Sequence, residues 1–262
     1  MPAIVIIPAR HGSTRFPGKP LCYLHGKPMI RLVYERVRNA RLVKDVFVAT
    51  DSKDIVSVVE GFGGNAIMTS TEHRSGTDRI AEAVTKLSEA GVVADSSDNI
   101  IVNVQGDEPM IMPEMVDDVI RLMGDERASI GTLAKRIETP EEVGDPNVVK
   151  VVFDYEGFAL YFSRCPIPYH REAGSKEYAV SSKEKESSYY FKHIGIYAYR
   201  RDVLRRFSLL APTRLEQTEM LEQLRAMEMG FRIKVRETHY ETIGVDTAAD
   251  LERVEKCLSL SL

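Results

Sequence analysis

Basic side chains cluster in a short polar segment that follows the first apolar run of the chain. The segment reads RHGSTRFPGK and contains Arg10, Arg15 and Lys19 among two glycines. Glycines let a backbone approach a ligand closely, so this loop could fold around an anion and aim the three cations at it. Such donors suit a triphosphate, whose oxygens gain charge during phosphoryl or nucleotidyl transfer. A solvated basic turn explains the segment equally well.

The segment is not a Walker A loop. Gly18 and Lys19 are followed by Pro20, where a Ser or Thr would hold magnesium, and no glycine stands five residues before Gly18. The segment also lacks the G-x-G-x-x-G pattern of dinucleotide-binding loops. Whether it binds phosphate therefore depends on what other loops bring to the same place.

Two aspartates, Asp107 and Asp246, follow short apolar runs at distant points in the chain. Asp107 lies in NVQGDEP and Asp246 in IGVDT. Magnesium prefers oxygen ligands and usually takes one or two protein carboxylates. Alternatively, Asp107 could cap the turn before Pro109, and Asp246 could favour the dipole of the helix behind it. Because both follow predicted strands, on the side where the basic segment emerges, we favour a metal–triphosphate site.

Alternating apolar runs and amphipathic segments predict the scaffold that positions these groups. Residues 3–7, VFVAT and NIIVNV read as strands, and each precedes a helical pattern, such as KPMIRLVYERVRNA after the first. This alternation predicts an α/β fold with a doubly wound, mostly parallel sheet. Ligands of such sheets bind beyond the carboxyl ends of the strands, where Arg10, Asp51 and Asp107 are expected to emerge.

The second half of the chain predicts further strands. VVKVVFDYEGFALYFSR reads as a hairpin and KHIGIYAYR as another strand. Between them, residues 170–190 are highly charged and poor in aliphatic side chains, which indicates an exposed excursion. RLEQTEMLEQLRAMEMG is predicted to form one helix, and Thr247 with Asp250 to cap the last helix.

The composition limits the class of protein. A chain of 262 residues with 44% hydrophobic residues can bury a full core as one large domain. Its 35 basic and 39 acidic residues are spread along the chain, which argues against a nucleic-acid-binding surface. Three widely spaced cysteines without a C-x-x-C pair argue against a disulfide framework and favour the cytoplasm. The sequence shows no secretion signal and no long apolar run, so secretion and membrane spanning are disfavoured.

Nine segments, in order along nearly the whole chain, resemble the 3-deoxy-manno-octulosonate cytidylyltransferases, or CMP-Kdo synthetases. They are IPARHGSTRFPGKPL, ATD, HRSGTDRIAE, NVQGDEPMI, NVVKVV, ALYFSR, KHIGIYAYR, LEQLR and GVDT. The resemblance implies a nucleotide-diphospho-sugar transferase fold, Rossmann-like and mostly parallel, formed by residues 1–262 as a single domain. It includes a smaller sugar-binding and dimerisation subdomain built from strands at roughly residues 150–200. The resemblance also implies a magnesium-dependent homodimer that joins CTP to the eight-carbon acid Kdo, releasing diphosphate, for lipopolysaccharide biosynthesis.

The same resemblance implies roles for individual residues. In the first loop Arg10 and Lys19 would bind the CTP phosphates, with help from Arg15. Asp107 and Asp246 would hold magnesium, and together with Arg10 and Lys19 they form the implied catalytic set. The stretch that meets the cytidine comprises Arg74, Ser75 and Gly76.

The resemblance also implies a sugar pocket. Its lining comprises Gln105, Arg164, His193, Tyr197, Glu222 and Gln223. Arginine can bind the carboxylate of Kdo bidentately, while the amide, imidazole, phenol and carboxylate groups can address its hydroxyls. Each of these residues also has a structural interpretation, such as a surface arginine or a core tyrosine.

Other functions are compatible with the sequence. A cytidylyltransferase for another 2-keto sugar acid, such as amino-Kdo or a sialic acid, would use the same loop and metal ligands. A nucleotidyltransferase for a sugar phosphate would prefer a phosphorylated acceptor, which the single Arg164 does not favour. A non-catalytic nucleotide-binding regulator would have no need for both Asp107 and Asp246 together with Lys19.

Overall fold

The computed structural model describes residues 3–12, 16, 18–73, 75–93, 99–171 and 189–259. Arg15, Arg74 and most of the charged stretch 170–190 lie outside the described residues. The strands are β1 (Ala3–Ala9), β2 (Tyr23–Leu24), β3 (Lys27–Pro28), β4 (Val43–Thr50), β5 (Asn65–Met68), β6 (Ile100–Asn103), β7 (Ile130–Arg136), β8 (Lys150–Phe153), β9 (Ala159–Ser163), β10 (Phe191–Arg200) and β11 (Ile233–Glu237). The helices are α1 (Met29–Arg38), α2 (Lys53–Gly61), α3 (Gly76–Glu89), α4 (Pro113–Leu122), α5 (Pro140–Gly144), α6 (Arg201–Ser208), α7 (Arg214–Glu219), α8 (Glu222–Glu228) and α9 (Ala248–Ser259), with a 3-10 turn at Lys19–Leu21.

One mixed sheet organises the molecule, in the order β11-β7-β10-β6-β1-β4-β5. Strand β1 pairs in parallel with β4 and β6, and β7 pairs in parallel with β11. Strand β10 runs antiparallel to both of its neighbours, β6 and β7. The predicted mostly parallel sheet is therefore confirmed, with β10 reversed between β6 and β7.

The two faces of the sheet carry separate apolar layers, which follow from the alternation of side chains along each strand. In β1, Val5 and Ile7 pack into the layer that contains α1, α2 and α4, while Ile4 and Ile6 pack into the layer that contains α3, α6 and α8. All seven residues of β1 are buried. The continuous apolar run at the start of the sequence is thus a central strand covered on both faces.

The second half extends the same sheet. Strands β8 and β9 form the predicted hairpin, and β8 also pairs with β10 at Lys150 and Lys192. Among the described helices, none is both long and apolar enough to cross a bilayer. The assignment of residues 150–200 to a sugar-pocket and dimerisation subdomain stays a prediction.

The predicted single helix over residues 214–230 is wrong. It breaks into α7 and α8 at Met220, whose φ of 53° lies in the left-handed region. The Arg164 side chain captures carbonyl groups at this joint, since its Nε donates to Glu219 O at 2.7 Å and its Nη2 to Met220 O at 3.4 Å. A long-range contact therefore ends a helix that local sequence would continue.

The predicted cap of the last helix is confirmed. Asp250 N donates to Thr247 Oγ1 at 3.2 Å, and Thr247 N donates to Asp250 Oδ2 at 2.8 Å. These reciprocal bonds satisfy backbone donors at the start of α9. They also fix the loop that carries Asp246 immediately before the helix.

Candidate active site

A cleft of ≈ 290 Å³ opens beyond the carboxyl ends of β1 and β6. Seven of the predicted site residues line it: Arg10, Lys19, Ser75, Gly76, Gln105, Asp107 and Asp246. They come from four separate segments of the chain, so the fold brings together residues that are far apart in sequence. His73 and Arg79 line the cleft as well.

Lys19, Asp107 and Asp246 form an ionic cluster in the cleft. Lys19 Nζ lies 2.6 Å from Asp107 Oδ2 and 3.1 Å from Asp246 Oδ1. Burial acts to lower the pKa of Lys19, but the two carboxylates outweigh it and raise that pKa above its ordinary value. The lysine is therefore a fixed positive charge, and the two carboxylates converge on a single point.

The two aspartate loops are joined by their backbones, because Val245 N donates to Asp107 O at 2.9 Å. Beneath them lies Glu108, whose Oε2 is buried and has no hydrogen-bond partner among the described residues. Burial and the charge of Asp107 raise the pKa of Glu108 to about 8. Gly244 keeps this packing possible, since a Cβ there would lie 3.1 Å from Glu108 Oε1.

The start of α3 faces the cleft. Ser75 caps the helix by accepting a hydrogen bond from Asp78 N at 3.1 Å. A Cβ at Gly76 would lie 3.4 Å from Pro8 and 3.7 Å from the Gln105 amide, so a side chain there would narrow the cleft. The free N–H groups and the dipole of a 14-residue helix make this edge a favourable place for an anion or a polar ligand.

Arg79 is a cleft residue that the sequence analysis missed. It is 4% exposed, and its guanidinium donates to Asp51 Oδ2 at 2.7 Å and to Thr69 Oγ1 at 2.6 Å. Asp51, which was expected at the ligand edge, holds Arg79 and is not among the described residues that line the cleft. The signal for Arg79 was its position one helical turn after Ser75 and Gly76.

His193 and Tyr197 lie on β10 beside a bulge. The register of β10 against β7 shifts between Ile194 and Tyr197, and the His193 and Tyr197 ring centroids are 5.3 Å apart. His193 Nε2 lies 2.9 Å from Thr132 Oγ1. Burial lowers the pKa of His193 to about 3, so its imidazole is neutral at physiological pH.

The Arg164 side chain donates its hydrogen bonds to backbone carbonyl groups of the protein. Besides its bonds at the joint of α7 and α8, its Nη1 donates to Pro146 O at 2.8 Å. The Glu219 carboxylate accepts hydrogen bonds from Ser163 Oγ at 2.7 Å and from Arg164 N at 2.9 Å. The predicted contact of Arg164 with the sugar carboxylate stays a prediction.

Glu222 lies behind the start of α3. Its carboxylate accepts from Thr77 Oγ1 at 2.5 Å and from Arg225 Nη2 at 2.6 Å. Burial raises the pKa of Glu222. Five predicted pocket residues are not among the described residues of the cleft wall: Arg164, His193, Tyr197, Glu222 and Gln223.

Comparison with known proteins identifies the family to which this chain belongs. The cytidylyltransferase family model matches residues 4–236. The 3-deoxy-manno-octulosonate cytidylyltransferase of Thermodesulfovibrio yellowstonii is 54% identical over 259 residues, which cover 99% of each chain. This chain belongs to the 3-deoxy-manno-octulosonate cytidylyltransferase family. The family member of Geobacter sulfurreducens is 50% identical over 95% of this chain and 96% of its own.

The solved structures agree with this family. A CMP:2-keto-3-deoxy-manno-octonic acid synthetase complexed with CTP superposes with a TM-score of 0.87 at 43% identity, over 100% of both chains. A cytidylyltransferase of Leptospira borgpetersenii, only 16% identical, shares the fold with a TM-score of 0.61 over 100% of this chain and 89% of its own. The fold class predicted from the nine sequence segments is confirmed.

Proposed function

We propose that this member of the family transfers the cytidylyl group of CTP to Kdo and releases diphosphate, as a step of lipopolysaccharide biosynthesis. The observation that carries the proposal is the ionic cluster, in which the Lys19 ammonium lies between Asp107 and Asp246. Carboxylates for a cation beside donors for an anion are what a metal-bound triphosphate requires. Near full-length similarity to proteins named for this reaction supports Kdo and CTP as the substrates.

The reaction exchanges one bond at the α-phosphorus of CTP. The anomeric hydroxyl oxygen of Kdo forms a bond to that phosphorus, and the bond to the oxygen bridging to the β-phosphate breaks. Diphosphate leaves with the electron pair, and the hydroxyl proton passes to solvent. Arg10 and Lys19 would bind the phosphates and offset the charge that gathers on the leaving group. Ser75 and Gly76 would meet the cytidine at the start of α3.

We assign magnesium to Asp107 and Asp246. The fit rests on their carboxylate oxygens, which lie within 2.6 and 3.1 Å of one cationic nitrogen, and on the buried Glu108 Oε2 that lacks a hydrogen-bond partner among the described residues. Within the described part of the chain no group of three or more His, Cys, Asp or Glu side chains forms a metal site. Two carboxylates suffice for magnesium when phosphates and water supply the other ligands. When bound, the ion would lower the pKa of the attacking hydroxyl and neutralise phosphate charge.

We further propose a cytoplasmic homodimer. Exposed apolar side chains on the hairpin, Tyr155 in its turn and Leu160 on β9 at 61% exposure, support an isologous contact of this edge with a second copy. A dimer mass in light scattering supports this proposal, and loss of the dimer in Leu160→Lys would place the contact on β9. A monomer at micromolar concentration contradicts it.

An acceptor panel tests the substrate assignment. Diphosphate release would be followed with CTP, magnesium and, in separate reactions, Kdo, amino-Kdo, a sialic acid and a sugar phosphate. We expect the highest kcat/KM with Kdo and no turnover after chelation of the metal. A higher kcat/KM with another 2-keto acid would show that this acid, and not Kdo, is the substrate. CTP binding without turnover on any acceptor would favour a nucleotide-binding regulator.

A further inference from the structure

His73 lines the cleft beside the start of α3 and takes no part in the proposed bond exchange. Its imidazole Nε2 pairs with the carboxylate Oε2 of Glu82, which lies on α3, and we call the two side chains the His73–Glu82 dyad. They are 19% and 24% exposed, so both are partly shielded from water. An imidazole held by a carboxylate at the wall of a cleft has a restricted orientation, and it can therefore select between ligands.

Glu82 is itself held by further groups. Its Oε2 also accepts from Ser70 N at 2.9 Å, and its Oε1 lies 2.8 Å from Lys86 Nζ. Burial acts to raise the pKa of Glu82, but these two bonds and the one from His73 outweigh it and lower that pKa to about 2. The carboxylate is therefore ionised at neutral pH, and an ionised carboxylate only accepts hydrogen bonds.

This acceptor determines which nitrogen of a neutral His73 ring carries the hydrogen. A neutral imidazole has one N–H group and one nitrogen with a lone pair. Because Nε2 faces an ionised carboxylate, the hydrogen lies on Nε2 and the lone pair lies on Nδ1. Among the described residues Nδ1 has no hydrogen-bond partner. His73 therefore keeps one hydrogen-bond acceptor for a ligand.

Cytosine and uracil differ at the group that such an acceptor distinguishes. Position 4 of cytosine carries an amino group, which donates, whereas position 4 of uracil carries an oxygen, which accepts. An acceptor that faces this position binds cytosine and opposes uracil, since two lone pairs would then meet. Ser75 and Gly76, which we place at the cytidine, follow His73 within three residues and line the same cleft.

We infer that Nδ1 of His73 accepts a hydrogen bond from the 4-amino group of cytosine, and that Glu82 is the positioning residue that keeps the lone pair on Nδ1. The His73–Glu82 dyad then makes the cleft selective for CTP over UTP. The inference rests on the proposed function for the nucleotide, but it does not depend on which acid is the acceptor. The ionic cluster cannot supply this selectivity, because CTP and UTP carry the same triphosphate.

Nucleotide selectivity tests the inference. Values of kcat/KM would be measured with CTP and with UTP at about pH 8, where an ordinary histidine is neutral. We expect His73→Ala to lower the CTP-to-UTP ratio by about tenfold to hundredfold, as one hydrogen bond is lost or no longer opposed. Glu82→Ala should also lower the ratio, but by less than about twofold in a His73→Ala background. An unchanged ratio in His73→Ala, or additive effects, would overturn the inference.

Lys86→Met is the matched control for Glu82→Ala. It removes the ion pair at Glu82 Oε1 and the hydrogen bond from Lys86 Nζ to Met68 O at 2.8 Å, but it keeps the carboxylate that faces His73. It should lower the free energy of unfolding and leave the CTP-to-UTP ratio unchanged. A fall in the ratio equal to that of Glu82→Ala would assign the effect to loosening of α3 and would overturn the positioning role of Glu82.

A readout without turnover separates this inference from the proposed function. In protein labelled with a heavy nitrogen isotope, the ring signals of His73, identified by their loss in His73→Ala, should show hydrogen on Nε2 and a lone pair on Nδ1. Saturating CMP should shift the Nδ1 signal, whereas UMP should not. A hydrogen on Nδ1, or equal shifts with both nucleotides, would overturn the inference even in an active enzyme. The expected shifts in a protein that does not use Kdo would keep the inference and reject the proposed substrate.

Discussion

The ionic cluster and the buried polar pair behind it, Asn103 and Thr77, serve the same cleft with opposite physics. In the ionic cluster the Asp107 and Asp246 side chains are 33% and 60% exposed, and the three charged residues lie in the 3-10 turn after β1, in the loop after β6 and before α9. The buried polar pair is neutral, 2% exposed at each residue and carried by β6 and α3. The cluster offers charge where phosphates and metal would arrive from water. The buried pair holds two predicted sugar-pocket residues by hydrogen bonds, Gln105 through Asn103 and Glu222 through Thr77.

This difference allows one cleft to separate affinity for the triphosphate from selectivity for the acceptor. Exposed charges attract a triphosphate over a distance but discriminate poorly between acceptors. Buried neutral groups act only at contact, yet an unmatched partner there leaves a polar group without a hydrogen bond, which is costly. Changes in the ionic cluster should therefore affect turnover and KM for CTP, and changes in the buried pair or in Gln105 and Glu222 should affect KM for the sugar acid.

The largest effect is expected from the carboxylates of the ionic cluster. Asp107→Asn and Asp246→Asn should each lower kcat by roughly 10³-fold, because each removes a charged metal ligand while keeping the side-chain shape. Steady-state rates at saturating magnesium measure this, with circular dichroism to verify the fold. Asp54→Asn, at an exposed position of α2, is the control. Near-normal turnover in either variant would remove that residue from the metal site.

Lys19→Ala should raise KM for CTP by about tenfold to hundredfold and change KM for Kdo little. The loss corresponds to one charge-assisted contact with the phosphates. Rates measured against CTP concentration test this, with the exposed Lys53→Ala as the control. An unchanged dependence of the rate on CTP concentration would contradict a phosphate-binding role for Lys19.

Glu222→Gln sharpens the comparison from the side of the buried pair. An amide donates as well as accepts, so the bonds of this side chain to Thr77 and Arg225 change, and we expect about a tenfold rise in KM for Kdo. The variant should also unfold at lower urea concentration, because Arg225 loses its closest carboxylate partner, Glu222 at 2.6 Å. A rise confined to KM for CTP would place Glu222 with the ionic cluster instead.

The desolvated imidazole of His193 on β10 predicts a dependence of stability on pH. Its pKa is about 3 in the folded protein against 6.5 when unfolded, so the unfolded chain binds the extra proton between these values. The free energy of unfolding is therefore retained above about pH 6.5 and falls as the pH drops towards 3, by up to about 1.4 kcal/mol per pH unit. Urea titrations of the wild type and His193→Gln at several pH values measure the difference. Parallel curves would show that His193 is not buried as a neutral ring.

Much of the fold and of the ionic cluster could be predicted from the sequence, because the signals are local. A continuous apolar run predicted β1, and polar residues shortly after an apolar run predicted where Asp107 would emerge, four residues beyond β6. Parallel strands bring the segments after β1 and β6, and with them Lys19 and Asp107, to one edge whatever their distance in sequence. The predicted strand before Asp246 is wrong, because residues 238–246 form no strand; the hydrogen bond from Val245 N to Asp107 O holds Asp246 at this edge instead.

The rest depends on contacts that no local pattern contains. The break at Met220 requires Arg164, which lies more than fifty residues earlier and captures the carbonyl groups of the joint. Thr77 looks like an ordinary helix residue, and its hydrogen bond to Glu222, 145 residues later in the chain, follows only from the tertiary fold.

A phosphorus NMR experiment on the complete reaction tests most directly whether the anomeric hydroxyl of Kdo attacks CTP. Wild-type protein would be incubated with magnesium, CTP and Kdo carrying a heavy-oxygen label in its anomeric hydroxyl. We predict one equivalent of diphosphate and a phosphodiester signal of CMP-Kdo shifted by the label, and roughly 10³-fold slower formation of both products by Asp107→Asn. Unlabelled CMP with diphosphate, or no consumption of CTP, would contradict the account.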